Sequence, residues 1–154
     1  MIALKHILVP TDFSEASYSA VKYGRALAES FESSLHVLHV IEDPVLYAPT
    51  SEGYVPYVDL QEEMEKSARE WLSKVLTDAD RERFHARLVT KRGSAFVEIV
   101  RYAKTEDIDL IVMGTHGRGP IAHMLLGSVA EKVVRKAPCP VLTVRHPEHE
   151  FVMP

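Results

Sequence analysis

Three glycines, Gly114, Gly117 and Gly127, with Ser128 directly after the last, punctuate the segment GTHGRGPIAHMLLGS. Glycine can take positive φ and lets a ligand come close to the backbone, and a helix start offers unpaired N–H groups to an anion. Residues 109–113, Asp-Leu-Ile-Val-Met, form a short β-rich apolar run before it, and Val129 to Arg135 reads as helix after it. The order strand, glycine-rich loop, helix suits a phosphate cradle. Gly114 is expected to turn the strand away, Gly117 to let the backbone approach the ligand, and Gly127 with Ser128 to bring N–H groups and a hydroxyl to the helix start. The rival role for that last pair is plain capping, Ser128 being a favoured N-cap type. Arg118 is placed either to pair with phosphate oxygens or to stay solvated. Charge-assisted hydrogen bonds contribute about 1.5–3 kcal/mol each, so a handful would support the roughly −8 kcal/mol of micromolar binding.

Pro10, Thr11 and Asp12 close the first apolar run of the chain. A carboxylate beside a phosphate site can hold Mg²⁺ with several waters retained, or accept hydrogen bonds from a ribose. Asp12 has a third possible role, a capping box with Glu15, although Ser14 can supply that cap instead. Val40, at the end of the second apolar run, suits either an adenine slot or the core.

The elements that would position these residues alternate regularly. Leu4 to Pro10 reads as a buried strand and Ser14 to Phe31 as a helix, with Ala16, Ala20, Tyr23, Leu27 and Phe31 at spacings of three and four. Leu35 to Ile41 is a second strand. Asp59 to Leu76 is a helix with Leu60, Met64, Ala68, Trp71 and Val75 on one face. His85 to Thr90, Leu110 to Met113 and Val141 to Val144 are three further strands. Helices are expected over Ser94 to Ala103, with Val97 and Val100 inward, and over Ser128 to Lys136. This alternation predicts one open, twisted, five-stranded parallel sheet in the order 3-2-1-4-5, with helices on both faces and right-handed crossovers. Ligands of such sheets bind at the carboxyl ends of strands where the winding reverses, which brings Asp12 and the glycine run to one crevice. The connection after Met113 is longer than the usual 2–6 residues, leaving room to wrap phosphates. Glu42 to Tyr57, with no period, reads as a long loop, either a lid or a surface insertion. Residues 1–146 are expected to form the domain and residues 147–154 a frayed tail.

At 154 residues the chain has the size of one domain. No apolar stretch approaches a membrane span and no secretory signal opens the chain, so no membrane partner and a cytoplasmic location are expected. A net charge of −4 offers no basic surplus for releasing phosphate counterions, which argues against nucleic acid. The single cysteine, Cys139, cannot form an internal disulfide and reads as a small hydrophobe. No Gly-x4-Gly-Lys-Ser/Thr loop is present, and no Gly-x-Gly-x2-Gly follows the first strand. His116 and His123 flank the cradle, and His146 and His149 form a loose pair, but no further ligand completes a zinc set. Ser128 lacks a Gly-x-Ser-x-Gly elbow, and no residue stands out as the base that ATP hydrolysis needs.

The spacing Gly114-x2-Gly117-x9-Gly127-Ser128 resembles the ATP-binding signature of the universal stress protein family. The opening Ile7-Leu8-Val9-Pro10-Thr11-Asp12-Phe13-Ser14 and the closing Ala137-Pro138-Cys139-Pro140-Val141-Leu142-Thr143-Val144 are similar to that family too, so the resemblance covers about residues 3 to 145. It implies an adenine nucleotide alpha hydrolase-like fold, a homodimer, and a nucleotide-dependent regulatory role in stress response. By the resemblance, Pro10, Thr11, Asp12 and Val40 surround the adenosine. Met113, Gly114, Gly117, Gly127, Ser128 and Val129 follow the ribose and phosphates. ATP with Mg²⁺ at Asp12 is the expected cofactor, and a protein partner of unspecified kind reads the nucleotide-ordered loop. Slow ATP hydrolysis or autophosphorylation, and a nucleotide-free dimeric scaffold, are the competing readings. Val141 to Val144 would be an edge strand and the dimer contact.

Overall fold

The computed structural model describes residues 1–43, 57–116 and 126–146. Five strands, β1 (His6–Pro10), β2 (Ser34–Ile41), β3 (Arg87–Arg92), β4 (Leu110–Gly114) and β5 (Val141–Val144), form one parallel sheet in the order β3-β2-β1-β4-β5. The expected strand order is therefore correct. β1 lies at the centre with Ile7, Leu8 and Val9 fully buried, as a strand covered on both faces must be. Ile7 pairs with Leu35 on one side and with Leu110 on the other.

Side-chain alternation along the strands feeds two cores. Ile7, Val9, Val37 and Val112 pack on one face against Ala20, Val21 and Ala28 of α1 (Glu15–Phe31) and Leu72 of α2 (Tyr57–Ser73). Leu8, Leu38, Ile111 and Met113 pack on the other face. Their partners are Ile99, Tyr102 and Ala103 of α4 (Ala95–Thr105) and Ala130 and Val133 of α5 (Ser128–Lys136).

The helical faces differ from the sequence expectation. α1 turns its small residues inward, Ala16, Ser17, Ala20, Gly24 and Ala28, while Tyr23 and Phe31 are exposed. Close approach is the reason: a Cβ on Gly24 would stand 2.5 Å from Val9 Cγ2. On α2, Ala68 and Leu72 are buried and Trp71 is outside, and on α4 the buried residues are Ile99, Tyr102 and Ala103 rather than Val97 and Val100.

The sequence reading also missed α3 (Asp78–Arg83). Six residues are too few to show a helical period, but the turn carries a capping box in which Thr77 and Asp80 satisfy each other's backbone N–H groups. Arg25 reaches Asp80 at 2.8 Å and ties α1 to it. Burial pushes the Asp80 carboxyl up, but the hydrogen bonds from Thr77 and Arg25 outweigh that and hold it below its ordinary value. His85 follows α3 at φ 44°, outside the strand that was expected to begin there.

Candidate functional site at the carboxyl ends of β1 and β4

β1 and β4 are neighbours in space and leave the sheet in opposite winding directions, so a crevice opens between their carboxyl ends. The crevice holds a cleft of about 500 Å³. Pro10, Thr11, Asp12, Val40, Met113, Gly114, Gly127, Ser128 and Val129 all line it. Of the candidate residues, Gly117 and Arg118 lie outside the described residues, as do His123, His149, residues 44–56 of the long loop and the tail from 147.

Gly114 serves the site differently from its expected role. It is the last residue of β4, and a Cβ there would stand 2.9 Å from the backbone carbon and oxygen of Ala16. The glycine thus admits the first turn of α1 against the sheet, which sets one wall of the cleft. Immediately beyond, Thr115 donates its N–H to Val144 O at 3.0 Å and accepts the N–H of Gly127 on its carbonyl, so the two ends of the long connection meet at a neck. Thr115 Oγ1 and His116 Nδ1 lie 2.9 Å apart beside it.

Gly127, rather than Ser128, is the N-cap of α5, and among the described residues no side chain caps that helix. Ser128 is the first helical residue and is exposed. Ser128, Val129 and Ala130 therefore bring first-turn N–H groups to the cleft without a capping side chain. This is the arrangement that favours an anion.

At the start of α1 the cap is Ser14, whose Oγ accepts from Ser17 N, so the Asp12–Glu15 capping box does not form. Asp12 Oδ1 instead accepts the Ser14 N–H at 3.0 Å and the Ser14 hydroxyl. One carboxylate oxygen is thereby committed to the turn, and the residue stays on the cleft wall.

The opposite wall is apolar and comes partly from residues the sequence reading did not assign. Leu38 and Val40 of β2 and Ala95 and Ile99 of α4 line it together. The spacing Ala95 to Ile99 marks one helical face, but only the packing of α4 on the sheet turns that face to the cleft. Glu42 also lines the cleft, and its Oε1 accepts the Ala95 N–H at 3.1 Å, capping α4 where Ser94 does not. The next residue, Asp43, points away to Arg92 at 3.8 Å.

Comparison with known proteins gives a consistent picture. Residues 3–145 match the universal stress protein family. Universal stress protein MJ0531 of Methanocaldococcus jannaschii is 34% identical over 146 residues, covering 95% of this chain and 85% of that protein. The solved structure of the hypothetical protein MJ0577 superposes with a TM-score of 0.79 at 29% identity, covering 96% of this chain and all of the other. A universal stress protein solved in complex with cAMP superposes with a TM-score of 0.68 at 25% identity, covering 93% of this chain and 98% of that one.

Proposed function

This chain belongs to the universal stress protein family, and from that premise we propose that it is a regulatory module whose signal is an adenine nucleotide, ATP, bound in the cleft. The observation that carries the reading is the start of α5, with a glycine as its N-cap, lining the same cleft as Gly114. Anionic phosphates supply acceptors for first-turn N–H groups, which have none within their own helix. The apolar wall of Leu38, Val40, Ala95 and Ile99 suits a planar base, and a volume of about 500 Å³ lies in the range of small-molecule sites. The relative in complex with cAMP supports an adenine nucleotide as the class of ligand.

Among the described residues, no group of three or more His, Cys, Asp or Glu side chains comes together as a metal site. A Mg²⁺ ion would therefore be held by Asp12 together with phosphate oxygens and water, and would neutralise phosphate charge. Gly117, by its place in the signature, and Arg118, by its charge, are proposed to extend the phosphate contacts. We propose binding rather than turnover as the function, in the cytoplasm, with a protein partner reading the occupied state.

β5 pairs with β4 on one side, and Leu142 on it is 37% exposed. That edge is the proposed contact between two copies of the chain. Sedimentation at micromolar concentration is expected to give the mass of two chains, and Leu142→Glu the mass of one. A monomeric unmodified protein would overturn the dimer.

The test of the site is a calorimetric titration of nucleotide-free protein with ATP, with and without Mg²⁺. Saturable binding at one site per chain is expected. No heat together with no competition against a fluorescent ATP analogue would remove the reading.

A further inference from the structure

The turn that carries Asp12 is held from the far face of the sheet. Thr11 continues the β1 ladder by donating its N–H to Leu38 O at 2.8 Å. Its side chain is buried, with Oγ1 accepting the Phe13 N–H at 3.0 Å and lying 3.0 Å from Ser17 Oγ. Its carbonyl oxygen meets His39 Nδ1 at 2.8 Å. A carbonyl only accepts, so Nδ1 carries the proton and donates.

On the other side of Asp12 stands Phe13 at φ 64°, a left-handed conformation that a bulky L residue takes only when its surroundings impose it. Its ring lies on the His39 imidazole, with centroids 4.4 Å apart and planes at 32°, and it meets Trp71 of α2 at 5.9 Å. Asp12 is thus suspended between two residues that both rest on His39. Leu38 and Val40 face the cleft, and His39, between them on β2, points to the opposite side by strand alternation. The imidazole therefore acts on the site without lining it.

We propose that His39 is the positioning residue of the nucleotide site. Its Nδ1–H fixes the Thr11 carbonyl and thereby aims Asp12 into the cleft, while its ring seats the left-handed Phe13 against Trp71. The Phe13 ring in turn carries any shift of Asp12 through to Trp71 on the other face of the sheet. This inference rests on the nucleotide reading of the cleft and adds to it a residue and a route.

Two substitutions separate the donor from the ring. His39→Phe keeps a ring under Phe13 and removes the N–H, and is expected to raise the ATP dissociation constant about tenfold, the scale of one lost hydrogen bond. His39→Asn keeps a donor at the same distance along the side chain and removes the ring. It is expected to bind within about twofold of the unmodified protein but to lose the response at Trp71. That response is measurable because Trp71 is the only tryptophan of the chain and is 52% exposed. Saturating ATP is expected to shift the emission of the unmodified protein and of His39→Phe.

Unchanged affinity in His39→Phe, or equal weakening in both variants, would overturn the proposal, because either outcome leaves the N–H without a special role. Unchanged emission of the unmodified protein on saturation would overturn the route to Trp71, and this measurement stands even if a variant fails to fold. An unmodified protein that binds no ATP removes the nucleotide reading itself, whereas binding that is indifferent to His39 removes this inference alone.

Discussion

The two ends of the sheet use their polar groups in opposite ways. At the carboxyl end, glycine, small residues and a helix start with a glycine N-cap bring backbone donors to a cleft. At the amino end, side chains satisfy one another. His36, only 2% exposed on β2, lies 3.0 Å through Nδ1 from Tyr102 Oη and 3.3 Å through Nε2 from Ser34 Oγ, with the His6 ring edge-on at 5.6 Å. His6 Nδ1 meets the same Ser34 hydroxyl at 2.7 Å, and Arg87 pairs with Glu106 next to them. A polar group buried with its partners in place serves the fold, whereas a donor without one is available to a ligand. The contrast explains why a second polar hollow, lined by His6, His36, His85, Arg87 and Glu106, is assigned no ligand although it is richer in ionisable groups than the first.

The largest effect that would test this contrast is at Gly114. Gly114→Val puts a branched side chain against the Ala16 backbone, which cannot give way as a flexible side chain can. Overpacking of this kind costs about 1–3 kcal/mol or more, read as a lower midpoint in urea, and ATP affinity should fall with it because α1 carries Ser14 and the Asp12 turn.

Acid should act on the other end. Burial, with Arg87 and His6 nearby, lowers the His36 pKa from 6.5 to about 4. Between these values the unfolded chain binds a proton that the folded chain refuses, so the His36 contribution is complete above about pH 6.5 and is lost as pH falls towards 4. At roughly 1.4 kcal/mol per pH unit the loss is at most about 3.5 kcal/mol, reduced by whatever relaxation admits water to the ring. His36→Gln should flatten the fall in stability over that range. An equally steep fall in the variant would assign the acid sensitivity to other groups.

A smaller and more selective effect is expected at Ser128. The side chain is exposed and caps nothing, so Ser128→Ala should change stability by no more than about 0.5 kcal/mol. ATP affinity should fall several-fold, about the share of one hydrogen bond to phosphate. Loss of stability without loss of affinity would place Ser128 among the structural groups and blur the distinction between the two ends.

Much of this was legible in the chain itself. Apolar runs such as Ile7 to Val9 and Ile111 to Met113 exist only where a strand is covered on both sides, and their alternation with helical periods left the order 3-2-1-4-5 as the natural winding. The rule that ligands sit at a winding reversal then brought Asp12, Gly114 and Gly127 together, and all three line one cleft. Residue type also announced the chemistry, because glycine and a helix start are local properties of the backbone.

Other features depended on contacts between distant segments. The inward face of α1 is set by how closely Gly24 and Ala16 approach β1 and β4, so small residues won over Tyr23 and Phe31 although the period allowed either. The same approach, rather than a turn, gives Gly114 its purpose. Ala95, Ile99 and Glu42 enter the site because α4 crosses back over the sheet, and His39 reaches Thr11 because parallel pairing sets β2 beside β1. Sequence determined which elements form and what chemistry their ends can offer, since both follow from short-range backbone preference and hydrophobic period. Tertiary structure alone decided which side chains share a wall and which backbone donors line the cleft, since those depend on the packing distance between elements far apart in the chain.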